Sequence, residues 1–155
     1  MKHKRCIFNG LAFVVALFAF ANSAHAGLGG NADTIGVDRR SLSASHRATT
    51  SHGGYTVEEM AFASTFVREY ISSAGIVFGV AWNGYVHPDL GLLLGPYAEE
   101  YTKSLRNAPR THGRRRQHIA TDDVVVEKWG HMRDLHGRAY APGLVPSGVS
   151  VDEIK

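Results

Sequence analysis

The chain has 155 residues with 17 Lys+Arg, 14 Asp+Glu and a formal net charge of +3. Residues 1–26 carry three of the basic side chains and none of the acidic ones, so from Gly27 onward the balance is 14 to 14 and the basic excess is no footprint of nucleic-acid binding. The single cysteine, Cys6, lies in that same opening stretch, which excludes disulfides, thiolate metal centres and cysteine nucleophiles from everything after it.

Residues 1–26 have the pattern of a cleaved secretory signal peptide. Lys2, Lys4 and Arg5 form the positive region, Leu11 to Ala21 the apolar region, and Ala24-His25-Ala26 the small-x-small cleavage site. The apolar run is too short for a stable membrane span. Gly27, not cysteine, follows the cleavage site, so no lipoprotein anchor is expected.

Residues 27–54 are rich in Gly, Ser, Thr and Ala and read as a flexible N-terminal segment. Asp33-Thr34 can cap a short helix carrying Ile35, Val37 and Leu42, although Gly36 weakens it. Residues 55–146 read as one domain. Its first part holds three strands: Tyr55 to Met60, Thr65 to Ile71 and Ile76 to Trp82, rich in β-branched and aromatic residues and joined by short turns that favour antiparallel neighbours. In the third run Ile76, Phe78, Val80 and Trp82 alternate with Val77, Gly79 and Ala81. Large residues on one side and small ones on the other suggest a central strand with something closely packed above it.

Asp89 then caps a helix whose apolar face is Leu90, Leu93, Leu94, Tyr97, Tyr101 and Leu105. Pro96 either kinks this helix or starts a second one. A polar, basic loop follows from Asn107 to His118. Asp123 to Trp129 reads as a fourth strand and His131 to Tyr140 as a fifth, with Gly130 and Gly137 allowing a bulge or turn. Residues 147–155 read as a C-terminal tail; Ser150 and Glu153 have the spacing of a capping box, with almost no chain after it. The expected fold class is α+β: a single small domain in which one principal helix packs on an antiparallel sheet of about five strands.

Several stretches together resemble a known family. They are Gly27-Leu28-Gly29-Gly30, Gly54-Tyr55-Thr56-Val57, Val67-Arg68-Glu69-Tyr70 with Ser73-Ala74-Gly75, and Val77 to Trp82. They continue in Pro88-Asp89-Leu90, Leu93-Leu94-Gly95, Gly130-His131-Met132-Arg133, Gly137-Arg138-Ala139-Tyr140 and Pro146-Ser147-Gly148-Val149. The pattern is similar to the bacterial secreted family called domain of unknown function 2844. That resemblance implies a secreted protein of Gram-negative bacteria and brings no activity or functional residue with it.

Four groups of side chains are candidates for chemistry. The histidines after Gly27 are His46, His52, His87, His112, His118, His131 and His136; none has helical zinc spacing and no HExxH is present, so no metal is expected. His131, Asp134 and His136 offer the base and orienter of a small hydrolase, with Ser64, Ser72 or Ser73 as conceivable nucleophiles, but no G-x-S-x-G elbow exists. Arg106, Arg110, Arg114, Arg115 and Arg116, with His112 and His118, form a basic cluster, and its loop residues Arg110, Arg114, Arg115 and Arg116 can hold an anion. Trp82, Tyr85, Trp129 and Tyr140 can line a ligand groove, and Trp82 and Tyr85, which flank the turn-like Asn83-Gly84, can present a binding surface. No cofactor motif is present. The expected function is therefore a non-enzymatic periplasmic or envelope binding or accessory protein, with an envelope protein or an anionic envelope component as partner. The hydrolase and the anion-binding loop are the alternatives.

Overall fold

The computed structural model describes residues 27–34, 40, 44–109 and 115–155. The expected signal peptide, the Ile35–Val37–Leu42 helix, and Arg110, His112 and Arg114 lie outside them.

Seven antiparallel strands form one sheet in the order β1-β2-β3-β4-β7-β6-β5. They are β1 (Ser45–His52), β2 (Tyr55–Phe62), β3 (Thr65–Ser72), β4 (Val77–Gly84), β5 (Arg116–Ala120), β6 (Val125–His131) and β7 (Asp134–Tyr140). β1 to β4 form a meander. The chain then leaves the middle of the sheet through α1 (Leu90–Leu93) and α2 (Ala98–Asn107), reaches the far edge at β5 and works back until β7 pairs with β4.

This corrects the α+β expectation. Among the described residues the chain is mostly sheet, with two strands more than expected and, in place of one principal helix, two short ones of 4 and 10 residues, α1 and α2. The missing strands are the two edges. All of β1 is exposed, and only Ile119 of β5 is buried, so neither carries the apolar alternation that reveals a strand. The expected long helix is divided because Pro96 stands in a 3-10 turn, Gly95–Tyr97, between α1 and α2. Asp89 does cap α1, its side chain accepting from the Gly91 amide at 2.8 Å.

One face of the sheet packs under the helices. Met60, Val67, Val80, Trp82, Val126 and Ala139 meet Leu93, Leu94 and Tyr101 there, and Leu28 joins them fully buried. The 27–54 segment is thus not all loop: Leu28 donates to Leu93 O at 2.8 Å, Gly29 donates to Val77 O, and β1 adds an edge strand. Each fully buried large side chain is worth roughly 1.5–3 kcal/mol, and ordering this segment is offset in that way.

Two glycines shape the sheet through what they lack. Trp82 and Gly137 are cross-strand partners, and a Cβ at Gly137 would lie 2.2 Å from the Trp82 ring. The glycine is a notch for the indole rather than the bulge or turn suggested by the sequence. On β4 the register shifts opposite Tyr70 and Ile71. Phe78 is the extra residue, so it joins Ala81 on the second face while Val77, Val80 and Trp82 face the helices. The simple alternation expected for this strand fails at that bulge. Ile154 then sits above Gly79, where a Cβ would approach its Cδ1 to 2.8 Å.

The second face is closed by the chain's own end. Residues 141–155 cross it, burying Ile154 completely among Tyr55, Tyr70, Phe78 and Ala81. The capping box at Ser150 and Glu153 forms and serves a single 3-10 turn, Val151–Glu153. That turn directs Glu153 to the Tyr55 hydroxyl at 2.6 Å and Ile154 to its seat. The expected tail is a packed strap.

Candidate ligand-binding surfaces

Register places side chains of the second face in cross-strand rows. One row reads His118, Glu127, Arg138, Ala81, Arg68, Glu59 from β5 to β2. Opposite charges alternate along it. His118 pairs with Glu127 at 3.0 Å, Glu127 with Arg138, Arg68 with Glu59 at 3.0 Å, and Arg47 of β1 reaches Glu59 at 3.8 Å. Ala81 separates the two central arginines, and both turn to the strap. Arg138 Nη1 donates to Val151 O at 2.9 Å, and Arg68 Nη1 to Lys155 O at 3.2 Å.

Titration follows from these contacts. Burial pushes the Glu127 carboxyl up, but the bonds from Arg138 and His118 outweigh it and hold the group below its ordinary range. Burial pushes the Arg138 guanidinium down, and its bond to Glu127 more than reverses this. The Tyr55 phenol is pushed up to about 12, first by donating to the Glu153 carboxylate and then by burial.

Below this row lies Arg116, Trp129, His136, Asn83 and Phe66, where the strap no longer covers the sheet. Trp129 and His136 stack at 5.9 Å with their planes 5° apart. A groove of about 800 Å³ opens here, bordered by Glu59, Arg68, Asn83, Trp129 and His136 on the sheet and by Glu153 and Lys155 of the strap.

A second groove, of about 770 Å³, lies between the end of α2 and β5–β6. Arg106, Arg115, Arg116 and Lys128 line it together with His87 and His118, and among the described residues no Asp or Glu does. None of the four cations has an ion pair among the described residues. Lys128 lies 5.6 Å over the Tyr101 ring. Burial, and then Lys128, push the His87 imidazole down. Its Nδ1 accepts from Trp82 Nε1 at 2.9 Å, so His87 is neutral and adds no charge.

Arg106, Arg115, Arg116 and His118 of the expected basic cluster therefore flank a groove, and Lys128 of β6 completes it. Of the expected Trp82 and Tyr85 surface, Trp82 is 1% exposed beneath the helices, whereas Tyr85 is 62% exposed. His131 and His136 stand on different strands across the β6–β7 hairpin and both face Asp134, at 3.7 and 2.8 Å. Among the described residues no serine hydroxyl hydrogen-bonds to either histidine; Ser72 Oγ instead accepts from the Ile76 amide. Among the same residues no group of three or more His, Cys, Asp or Glu can hold a metal, and no helix is long and apolar enough to cross a membrane.

The fold defines a single-domain antiparallel β-sheet protein, closed by helices on one face and by its own C-terminal strap on the other. The family model described as protein of unknown function (DUF2844) matches residues 24–154, and the chain belongs to that family. No curated protein and no solved structure matches it.

Proposed function

We propose that the chain is an exported, non-enzymatic binding protein of the bacterial envelope, and that its basic groove holds an anionic envelope component. One observation carries the ligand class: four cations converge on one groove without a carboxylate among its lining side chains. Like charges gathered in this way repel, and a bound anion relieves the repulsion while the groove walls focus the field. Leu105, Ile119 and Leu135 line the same groove, which suits an anion attached to an apolar body. The N-terminal pattern of Lys2, Lys4 and Arg5, a short apolar run and Ala24-His25-Ala26 supports export.

The test is equilibrium binding of the full chain to phosphatidylglycerol vesicles, phosphatidylcholine vesicles and inorganic phosphate. The expected result is binding to the anionic vesicles over the neutral ones, weakened at least tenfold by Arg106→Gln with Lys128→Gln. Equal binding to both vesicle types, or an unchanged constant in a folded double variant, overturns the proposal. Binding of free phosphate as tight as that of vesicles would assign the site to a soluble anion.

A further inference from the structure

We infer that the open half of the second sheet face is a separate site for an acidic sugar. It lies across the sheet from the helices and shares only Trp129, Arg116 and His118 with the surroundings of the basic groove.

Hydrogen-bond supply on this floor is one-sided. Most acceptors are engaged: Glu59 Oε2 and Asn83 Oδ1 by Arg68, Asp134 Oδ1 by His136, and the two Glu153 oxygens by Tyr55 Oη and the Ser150 amide, while Glu59 Oε1 stands 3.8 Å from Arg47. Arg68 uses Nε and Nη1, leaving Nη2 without a partner among the described residues. The Asn83 amide nitrogen and Trp129 Nε1 are likewise without one. Arg47 and Arg68 share the carboxylate of Glu59, while Glu153 and Lys155 of the strap offset one another, so one positive charge is left over. A ligand that completes the site must bring acceptors and negative charge. The strap already shows the chemistry, since Arg68 and Tyr70 together hold the main-chain oxygen of Lys155 at 3.2 and 2.9 Å.

The remaining surface selects a ring over a peptide. β3, β4, β7 and β6 are interior strands paired on both sides, so their amides and carbonyls are engaged in the ladder. A peptide laid on this face finds no main-chain partners. The stacked Trp129–His136 pair offers a flat wall for the C–H face of a sugar ring, and the side-chain donors beside it meet hydroxyls and a carboxylate.

Calorimetric titration of the full chain tests this with three probes: a uronic-acid tetrasaccharide, its carboxyl-reduced neutral counterpart, and a tetrapeptide with a free carboxylate. The acidic sugar should bind at least tenfold tighter than either of the others. Titrated into the Arg106→Gln, Lys128→Gln variant, whose basic groove is disabled, the acidic sugar should still bind, and adding Asn83→Ala should weaken it there at least fivefold. If Asn83→Ala fails to fold, His136→Ala provides the same comparison. Equal affinity for the neutral sugar, tighter binding of the peptide, no binding of the acidic sugar, or no loss on adding Asn83→Ala to the Arg106→Gln, Lys128→Gln variant overturns the inference. Because Arg106 and Lys128 line the basic groove and not this floor, failure here and failure of the anion reading are distinguishable.

Discussion

Ile154→Ala tests how the strap closes the second face. The side chain is fully buried against Tyr55, Tyr70, Phe78 and Ala81 and rests on Gly79. Truncating a buried isoleucine costs about 2–5 kcal/mol, part transfer and part cavity. The strap can instead peel away, so the loss cannot exceed its docking free energy, and about 2–4 kcal/mol is expected. For a domain of about 130 residues this lowers Tm by roughly 6–14 °C. Circular-dichroism melts read the global change. Hydrogen exchange reads the local one at the Ile154 and Lys155 amides, which donate to Val151 O and Tyr70 Oη. A double-mutant cycle sharpens the test. Gly79→Ala alone places its Cβ 2.8 Å from Ile154 Cδ1 and should destabilise, but beside Ile154→Ala the methyl enters vacated space and should cost far less. Additive effects, or a Tm change below about 2 °C for Ile154→Ala, would refute this account of the packing.

Gly137→Ala forces a methyl into the Trp82 ring and onto Glu127 O, and should cost more than about 3 kcal/mol or prevent folding, as read by urea denaturation. Glu127→Gln should cost about 2 kcal/mol at neutral pH. Because the folded carboxyl titrates below its ordinary value of 4.5, that stability is present above this value and is lost as pH falls through the folded pKa; acid titration of the variant should be flatter there. Tyr55 works in the opposite range: its folded pKa is raised from 10.0 to about 12, so stability falls as pH climbs between them, and Tyr55→Phe should remove that fall and the latest-ionising component of the ultraviolet titration. In the native host, mass spectrometry of the envelope fraction should find a chain beginning at Gly27; an intact N-terminus there would contradict the export proposal.

What was legible in the sequence was what burial writes into it. β2, β3, β4, β6 and β7 bury alternate or continuous apolar residues, and their runs were visible. β1, written Ser-His-Arg-Ala-Thr-Thr-Ser-His, buries nothing and looked like loop. β5 was hidden inside a basic stretch. The small face of β4 correctly implied something packed above it, but nothing in Val-Asp-Glu-Ile-Lys identified Ile154 as the residue that does so. The sites depended on register. Arg68, Asn83, Trp129 and His136 are scattered along the chain, and only pairing through β3, β4, β7 and β6 brings them to one floor. Lys128 likewise joins Arg106, Arg115 and Arg116 only because α2 ends beside β5 and β6.

The most direct test of the anion-binding claim is the salt dependence of phosphatidylglycerol-vesicle binding, measured from 50 to 500 mM salt (about 14 to 4 Å in screening length) for the native chain and the Arg106→Gln, Lys128→Gln variant. The native chain should lose affinity steeply as salt rises, and the variant should bind weakly with a shallower slope. Affinity that persists in high salt, or parallel slopes for the two chains, would contradict an anion held by these cations.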